Sequence, residues 1–194
     1  MRMKLTVDAG LMLVAATVAT VVVAPAAPAG QPQVRLVDNT VAMDPPPPVV
    51  PGDGSLADGQ VLTPFDVQNP AIGRLDPPLL VAIQNAATAA SAEGIAMTIT
   101  SGWRSPEFQQ HLLDDAVQTY GSFDAARQYV QTPAMSRHVI GQAVDVGGVG
   151  ADQWLIANGS RYGLCQIYAN ELWHFELATD AAGICPPLLP TAAG

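Results

Sequence analysis

The chain has 194 residues, 49% of them hydrophobic, with 17 glycines, 17 prolines and a formal net charge of −9. That length holds one domain with extensions rather than two full domains. Eight Lys and Arg against 17 Asp and Glu exclude a surface built to neutralise a phosphate backbone, so nucleic acid is not an expected partner.

Arg2 and Lys4 precede an apolar run from Ala9 to Val23, and Ala24-Pro25-Ala26 and Ala27-Pro28-Ala29 each offer an A-x-A cleavage site. Residues 1–29 are therefore expected to be a signal peptide of an exported bacterial protein, secreted or associated with the cell wall. A helix of about 15 residues spans roughly 23 Å against the roughly 30 Å of a bilayer core, so no stable membrane insertion is expected once the signal is cleaved. Cleavage removes Arg2, Lys4 and Asp8 and leaves 6 basic and 16 acidic residues, a more acidic protein still. Residues 30–54, with Pro45-Pro46-Pro47-Pro48, Pro51, Gly52 and Gly54, lack a sustained apolar period and are expected to form an extended linker. The folded domain is expected over residues 55–190.

Within it, Asp76-Pro77 reads as a helix start, and Leu79, Leu80, Ile83, Ala86, Ala87 and Ala90 recur at helical spacing until Gly94. Ile95, Met97 and Ile99 alternate with Ala96, Thr98 and Thr100 as in a half-buried strand ending at Ser101-Gly102. Ser105-Pro106 caps a second helix whose apolar face runs through Phe108, Leu112, Leu113, Ala116, Val117 and Tyr120. A shorter helix is expected from Phe123 to about Val130. Ala143 to Val146, Leu164 to Tyr168 and Trp173 to Leu177 read as short strands, with a helix around Asp152 to Ala157. The mixture predicts an α+β fold, with helices packed on a small, largely antiparallel sheet.

Two of the three histidines sit in runs rich in other functional groups, Ser136-Arg137-His138-Val139-Ile140-Gly141-Gln142-Ala143-Val144-Asp145 and Glu171-Leu172-Trp173-His174. His138 and Asp145 can meet across a turn, and His174 can join them from a neighbouring strand. Two imidazoles and a carboxylate suit Zn²⁺, one per chain, and leave a fourth position for water. Glu171, three residues before His174, can face that water without being a ligand. Cys165 and Cys185 are expected to form a disulfide, given an oxidising compartment.

Ser101-Gly102-Trp103-Arg104-Ser105, the segment from His138 to Asp145, and Glu171-Leu172-Trp173-His174 resemble the three ordered motifs of the zinc D-alanyl-D-alanine carboxypeptidase family. That family is related to the vancomycin-resistance D,D-dipeptidases and to the zinc domain of hedgehog proteins. The resemblance implies that His138, Asp145 and His174 bind zinc, Glu171 is the general base and Arg104 stabilises the developing oxyanion. It also implies that Ser136 and Gln109 hold the terminal carboxylate of the substrate, a peptidoglycan stem peptide ending in D-Ala-D-Ala. Trp103 stands where many relatives have tyrosine, keeping an aromatic wall, and Leu172 stands where proline is frequent. The expected activity is removal of the terminal D-Ala by a monomeric enzyme. The alternatives are an L,D-carboxypeptidase or peptidoglycan endopeptidase of the same fold, or a non-catalytic zinc-stabilised wall-binding module.

Overall fold

In a computed structural model that describes residues 52–194, these residues make five α-helices and four strands. The expected signal peptide and almost all of the proline-rich linker lie outside these residues. Helix α1 is a single turn, Pro70–Gly73, started by Asn69, whose side chain accepts from the Ala71 amide. Helix α2, Pro77–Ala92, buries Leu79, Ile83, Ala86 and Ala90. Asp76 stands at its N-cap position without a side-chain cap bond. The start is held instead by the backbone, since the Asp76 amide donates to the Gly141 carbonyl at 2.8 Å.

Strand β1 is Thr98–Ser101, shorter than the alternation from Ile95 predicts. Its partner accounts for this: β2, Ala143–Gly147, ends opposite Thr98, so residues before Thr98 have no ladder to join. Helix α3, Pro106–Tyr120, is capped by Ser105 Oγ, which accepts from the Phe108 amide at 3.0 Å. Its buried face is Gln109, Leu113 and Ala116, while Tyr120 is exposed, so the helix turns a polar residue inward. Helix α4, Phe123–Ala126, stops short of the expected Val130, and the chain continues in tight turns through Tyr129 and Val130. Helix α5, Ala151–Asn158, runs into a 3-10 turn, Gly159–Tyr162. Strands β3, Leu164–Gln166, and β4, His174–Leu177, complete the sheet. Neither α1 nor the 3-10 turn has a strong periodic signal, being one turn each.

The sheet is antiparallel throughout, in the order β1-β2-β4-β3. Side chains alternate across it, so Ile99, Val144, Val146, Phe175 and Leu164 join Leu79, Ile83 and Leu155 in one core. The other face carries Asp145, His174 and Glu176. A smaller apolar cluster of Leu113, Ala116 and Ala126 binds α3 to α4. Among the described residues no helix is long and apolar enough to cross a membrane.

Domain contacts begin just before Ser55. The Ser105 amide donates to the Asp53 carbonyl at 2.7 Å, and a Cβ on Gly54 would lie 2.0 Å from the Trp103 carbonyl oxygen. At the other end, Cys165 and Cys185 are joined in a disulfide with their Cα atoms 5.6 Å apart.

Candidate active site

The site forms where the second face of the sheet meets the turn before β2. Asp145 on β2 and His174 on β4 are directly paired, and His138 precedes them on a turn closed by the Gly141 amide donating to the His138 carbonyl at 3.1 Å. Gly141 has φ +72°, and a Cβ there would lie 2.6 Å from the Arg74 carbonyl oxygen. Only glycine meets both demands, left-handed backbone and close approach to the segment between α1 and α2.

Each histidine has one ring nitrogen committed elsewhere. His138 Nδ1–H donates to the Gly102 carbonyl at 2.7 Å, and His174 Nε2–H donates to Glu176 Oε1 at 2.9 Å. The remaining nitrogens, His138 Nε2 and His174 Nδ1, lie 3.3 Å from each other and each 3.3 Å from Asp145 Oδ1. Three lone-pair donors within 4.8 Å of one another repel unless a cation or a proton lies among them, and two imidazole nitrogens with one carboxylate oxygen are a donor set that fits Zn²⁺. All three residues are buried.

Electrostatics follow the same logic. Burial pushes His138 below its usual range, aided by the Arg104 charge. Burial opposes a charge on His174 too, but its hydrogen bonds to Asp145 and Glu176 win and lift it to about 9, so a proton takes the cation's place in the metal-free protein. Asp145, despite burial, is held well below the usual carboxylate range by His138, His174 and Arg104. Burial raises Glu171 to about 7. Glu171 Oε2 lies 3.8 Å from His174 Nδ1, while its buried Oε1 has no hydrogen-bond partner among the described residues. A buried carboxylate oxygen left unpaired is costly unless something polar comes to meet it.

Arg104 is fixed on three sides: Nε donates to Ser101 Oγ at 2.8 Å, Nη1 to Gln109 Oε1 at 3.1 Å and Nη2 to Asp145 Oδ2 at 2.7 Å. Ser136 Oγ donates to the same Gln109 oxygen at 3.1 Å. Thus His138, Asp145, His174, Glu171, Arg104, Ser136 and Gln109 all border one cavity of about 220 Å³.

Trp103 does not. It borders a separate groove with Arg74 and His111, its indole N–H donates to the Val139 carbonyl at 3.0 Å, and the Arg74 guanidinium stacks on it at 4.4 Å. The aromatic lining comes instead from Tyr129, Tyr168 and Trp173. Leu172 is about half exposed. Tyr168 is not singled out by its surroundings in sequence. Glu176 is findable, because residues two apart on a strand share a face, and it stands two after His174.

With the geometry in hand, the relatives are informative. The family model for VanY, D-alanyl-D-alanine carboxypeptidase, matches residues 73–178, more than half of the chain. The chain belongs to the VanY D-alanyl-D-alanine carboxypeptidase family. A D-alanyl-D-alanine carboxypeptidase of Enterococcus faecalis is 30% identical over a stretch covering 53% of this chain and 48% of the relative, so the chain spans about half of that protein's length. The crystal structure of a vancomycin-resistance D,D-pentapeptidase VanY in complex with Zn(II) is similar, with TM-score 0.50 and 28% identity, covering 53% of this chain and 71% of that one. VanYB in complex with D-alanine-D-alanine is similar at TM-score 0.50 and 27% identity, covering 53% and 70%.

Proposed function

We propose that this protein is an exported zinc peptidase that removes the C-terminal D-Ala from peptidoglycan stem peptides ending in D-Ala-D-Ala. The observation that carries this reading is the convergence of His138 Nε2, Asp145 Oδ1 and His174 Nδ1 beside the unpartnered carboxylate oxygen of Glu171. Membership of the VanY family and the zinc and D-alanine-D-alanine held by its similar structures support the metal and the substrate class.

His138, Asp145 and His174 would hold one Zn²⁺ per chain, which supplies Lewis acidity to the attacking water and the scissile carbonyl. Glu171 takes the proton from that water as its oxygen bonds to the penultimate carbonyl carbon. The same carboxyl returns the proton to the leaving D-Ala nitrogen as the C–N bond breaks. Burial raises the Glu171 carboxyl above its usual range, which makes it a better proton acceptor than a solvated carboxylate. Arg104, already oriented by Ser101 and Gln109, places its charge where the carbonyl oxygen becomes negative. Ser136 Oγ–H, turning from Gln109 Oε1 to the ligand, and the second Gln109 amide proton bind the terminal carboxylate of the substrate.

Export fits the Cys165–Cys185 disulfide, which persists in oxidising compartments, and a substrate that lies outside the membrane. In this reading residues 1–29 are a cleaved signal, residues 30–54 a tether, and the mature protein a monomer.

The test offers purified protein a stem pentapeptide, with the tetrapeptide and D-Ala-D-Ala as controls. Release of D-Ala from the pentapeptide alone is expected. Release from the tetrapeptide would instead assign L,D specificity, and no release from any would assign a binding module.

A further inference from the structure

The stretch after the disulfide lies beyond the residues matched by the family, yet it reaches the cavity. Ala192 is buried and borders it together with Gln131 and Tyr168. Between Cys185 and Ala192 stand Pro186, Pro187 and Pro190, whose fixed φ angles leave this stretch little freedom.

It is fastened at both ends and on both sides. Cys185 is bonded to Cys165, which register places on the site face of β3, opposite Glu176. The Leu189 amide donates to the Ile167 carbonyl at 2.9 Å, and the Ala169 amide donates to the Leu189 carbonyl at 2.8 Å, flanking Tyr168. Across the cavity, the Ala192 amide donates to the Gln128 carbonyl at 3.3 Å, and Gln131 Nε2 donates to the Ala192 carbonyl. Gln131 in turn accepts from Gln109 Nε2 through its own backbone carbonyl at 2.8 Å. A continuous run of bonds therefore leads from Ala192 through Gln131 and Gln109 to Arg104 and Asp145.

We propose that Pro186–Ala192 is the end wall of the substrate pocket and limits it to peptides with one residue beyond the scissile bond. The proposal rests on the reading above that Gln109 and Ser136 receive the substrate's terminal carboxylate. Directly behind Gln109 stand Gln131 and Ala192, so a chain continuing past that carboxylate would have to part their bond. The cavity of about 220 Å³ is bounded on this side by Gln131 and Ala192. The wall makes the site act from a chain end, one residue at a time.

The experiment gives the full-length zinc protein a stem peptide lengthened by one further D-Ala, so that it still ends in D-Ala-D-Ala, and weighs the products. Wild-type protein should release single amino acids, with dipeptide below about a hundredth of the total, and Gln131→Ala should raise the dipeptide share at least about tenfold, a change of the size pocket contacts control. Gln131→Ala removes the amide that clasps Ala192 while keeping the backbone carbonyl that Gln109 uses. Leu189→Pro, which deletes the donor to Ile167 on the far side, should act in the same direction, and it decides if Gln131→Ala fails to hold zinc. A gain of a new product cannot arise from partial unfolding. Ready dipeptide release by the wild type, or zinc-loaded variants that still release only single residues, would overturn the wall while leaving the peptidase reading intact. No release of any kind by the wild type would overturn the peptidase reading and the wall with it.

Discussion

Asp145 and His174 are opposed residues on paired antiparallel strands, with Asp145 Oδ1 3.3 Å from His174 Nδ1. The register of β2 on β4 therefore builds two-thirds of the donor cluster, and a slip of one residue would turn one of the two side chains to the apolar face and part the pair. What remains is to aim the rings, and that falls to the partners of the opposite ring nitrogens.

Glu176 holds His174 from behind, accepting its Nε2–H, and Arg137 pairs with the other Glu176 oxygen at 3.6 Å. Glu176→Ala should weaken zinc affinity about 10- to 100-fold, the usual cost of losing a partner that orients a metal-binding histidine. Glu176→Gln keeps an acceptor and should lose less. Competition with a metal-binding dye measures both, and equal affinity in all three proteins would remove Glu176 from the site's machinery.

The disulfide should matter for stability more than for metal binding. In the chain-entropy account a loop closed at a sequence separation of 20 stabilises by about 3 kcal/mol, so Cys165→Ser with Cys185→Ser should lower the unfolding free energy by roughly that amount in urea. A loss well under about 1 kcal/mol would mean that the reduced chain stays ordered without the bond.

The metal-free protein should lose stability as pH rises. Burial lifts Glu171 from 4.5 to about 7. Against burial, the bonds to Asp145 and Glu176 lift His174 from 6.5 to about 9. Both groups hold protons in the folded state that the unfolded chain has released, so their stabilisation is complete below 4.5 and 6.5 and is lost as pH passes about 7 and about 9. Asp145 works the other way: held well below 3.8, it adds stability above that value that vanishes in acid. His138, pushed below 6.5 by burial, also adds stability as pH rises toward that value, so melting temperatures of the chelator-treated protein should fall from about pH 6.5 to about pH 9, and zinc should raise them most at the alkaline end, where no proton competes for His174. A metal-free melting temperature that climbs over that range would contradict the assignment.

Sequence reasoning named four residues that the fold brings together, because His138, Asp145, Glu171 and His174 cluster in two short runs whose chemistry is local. It found the fold class from the same kind of signal, α2 and α3 having long apolar stripes with capped or proline-marked starts. It missed what depends on distant pairing. Gln109 enters through the family resemblance alone, because its inward turn follows from Arg104 and Ser136, not from its place on a helix. Trp103 belongs to the clamp on the turn after His138 through Val139, and nothing in its neighbours reveals which side of the chain it faces. The role of Ala192 at the cavity arises from contacts with Gln128 and Gln131 more than sixty residues earlier.

The central claim is that Glu171 moves the proton while His138, Asp145 and His174 hold the metal. The direct measurement is zinc content and pentapeptide turnover on the same samples of Glu171→Ala and His174→Ala. Glu171→Ala should keep about one zinc per chain while kcat falls by at least roughly 10² to 10⁴, the worth of a general base, whereas His174→Ala should lose metal and turnover together. A Glu171→Ala protein that sheds its zinc, or that turns over near the wild-type rate, would contradict the account.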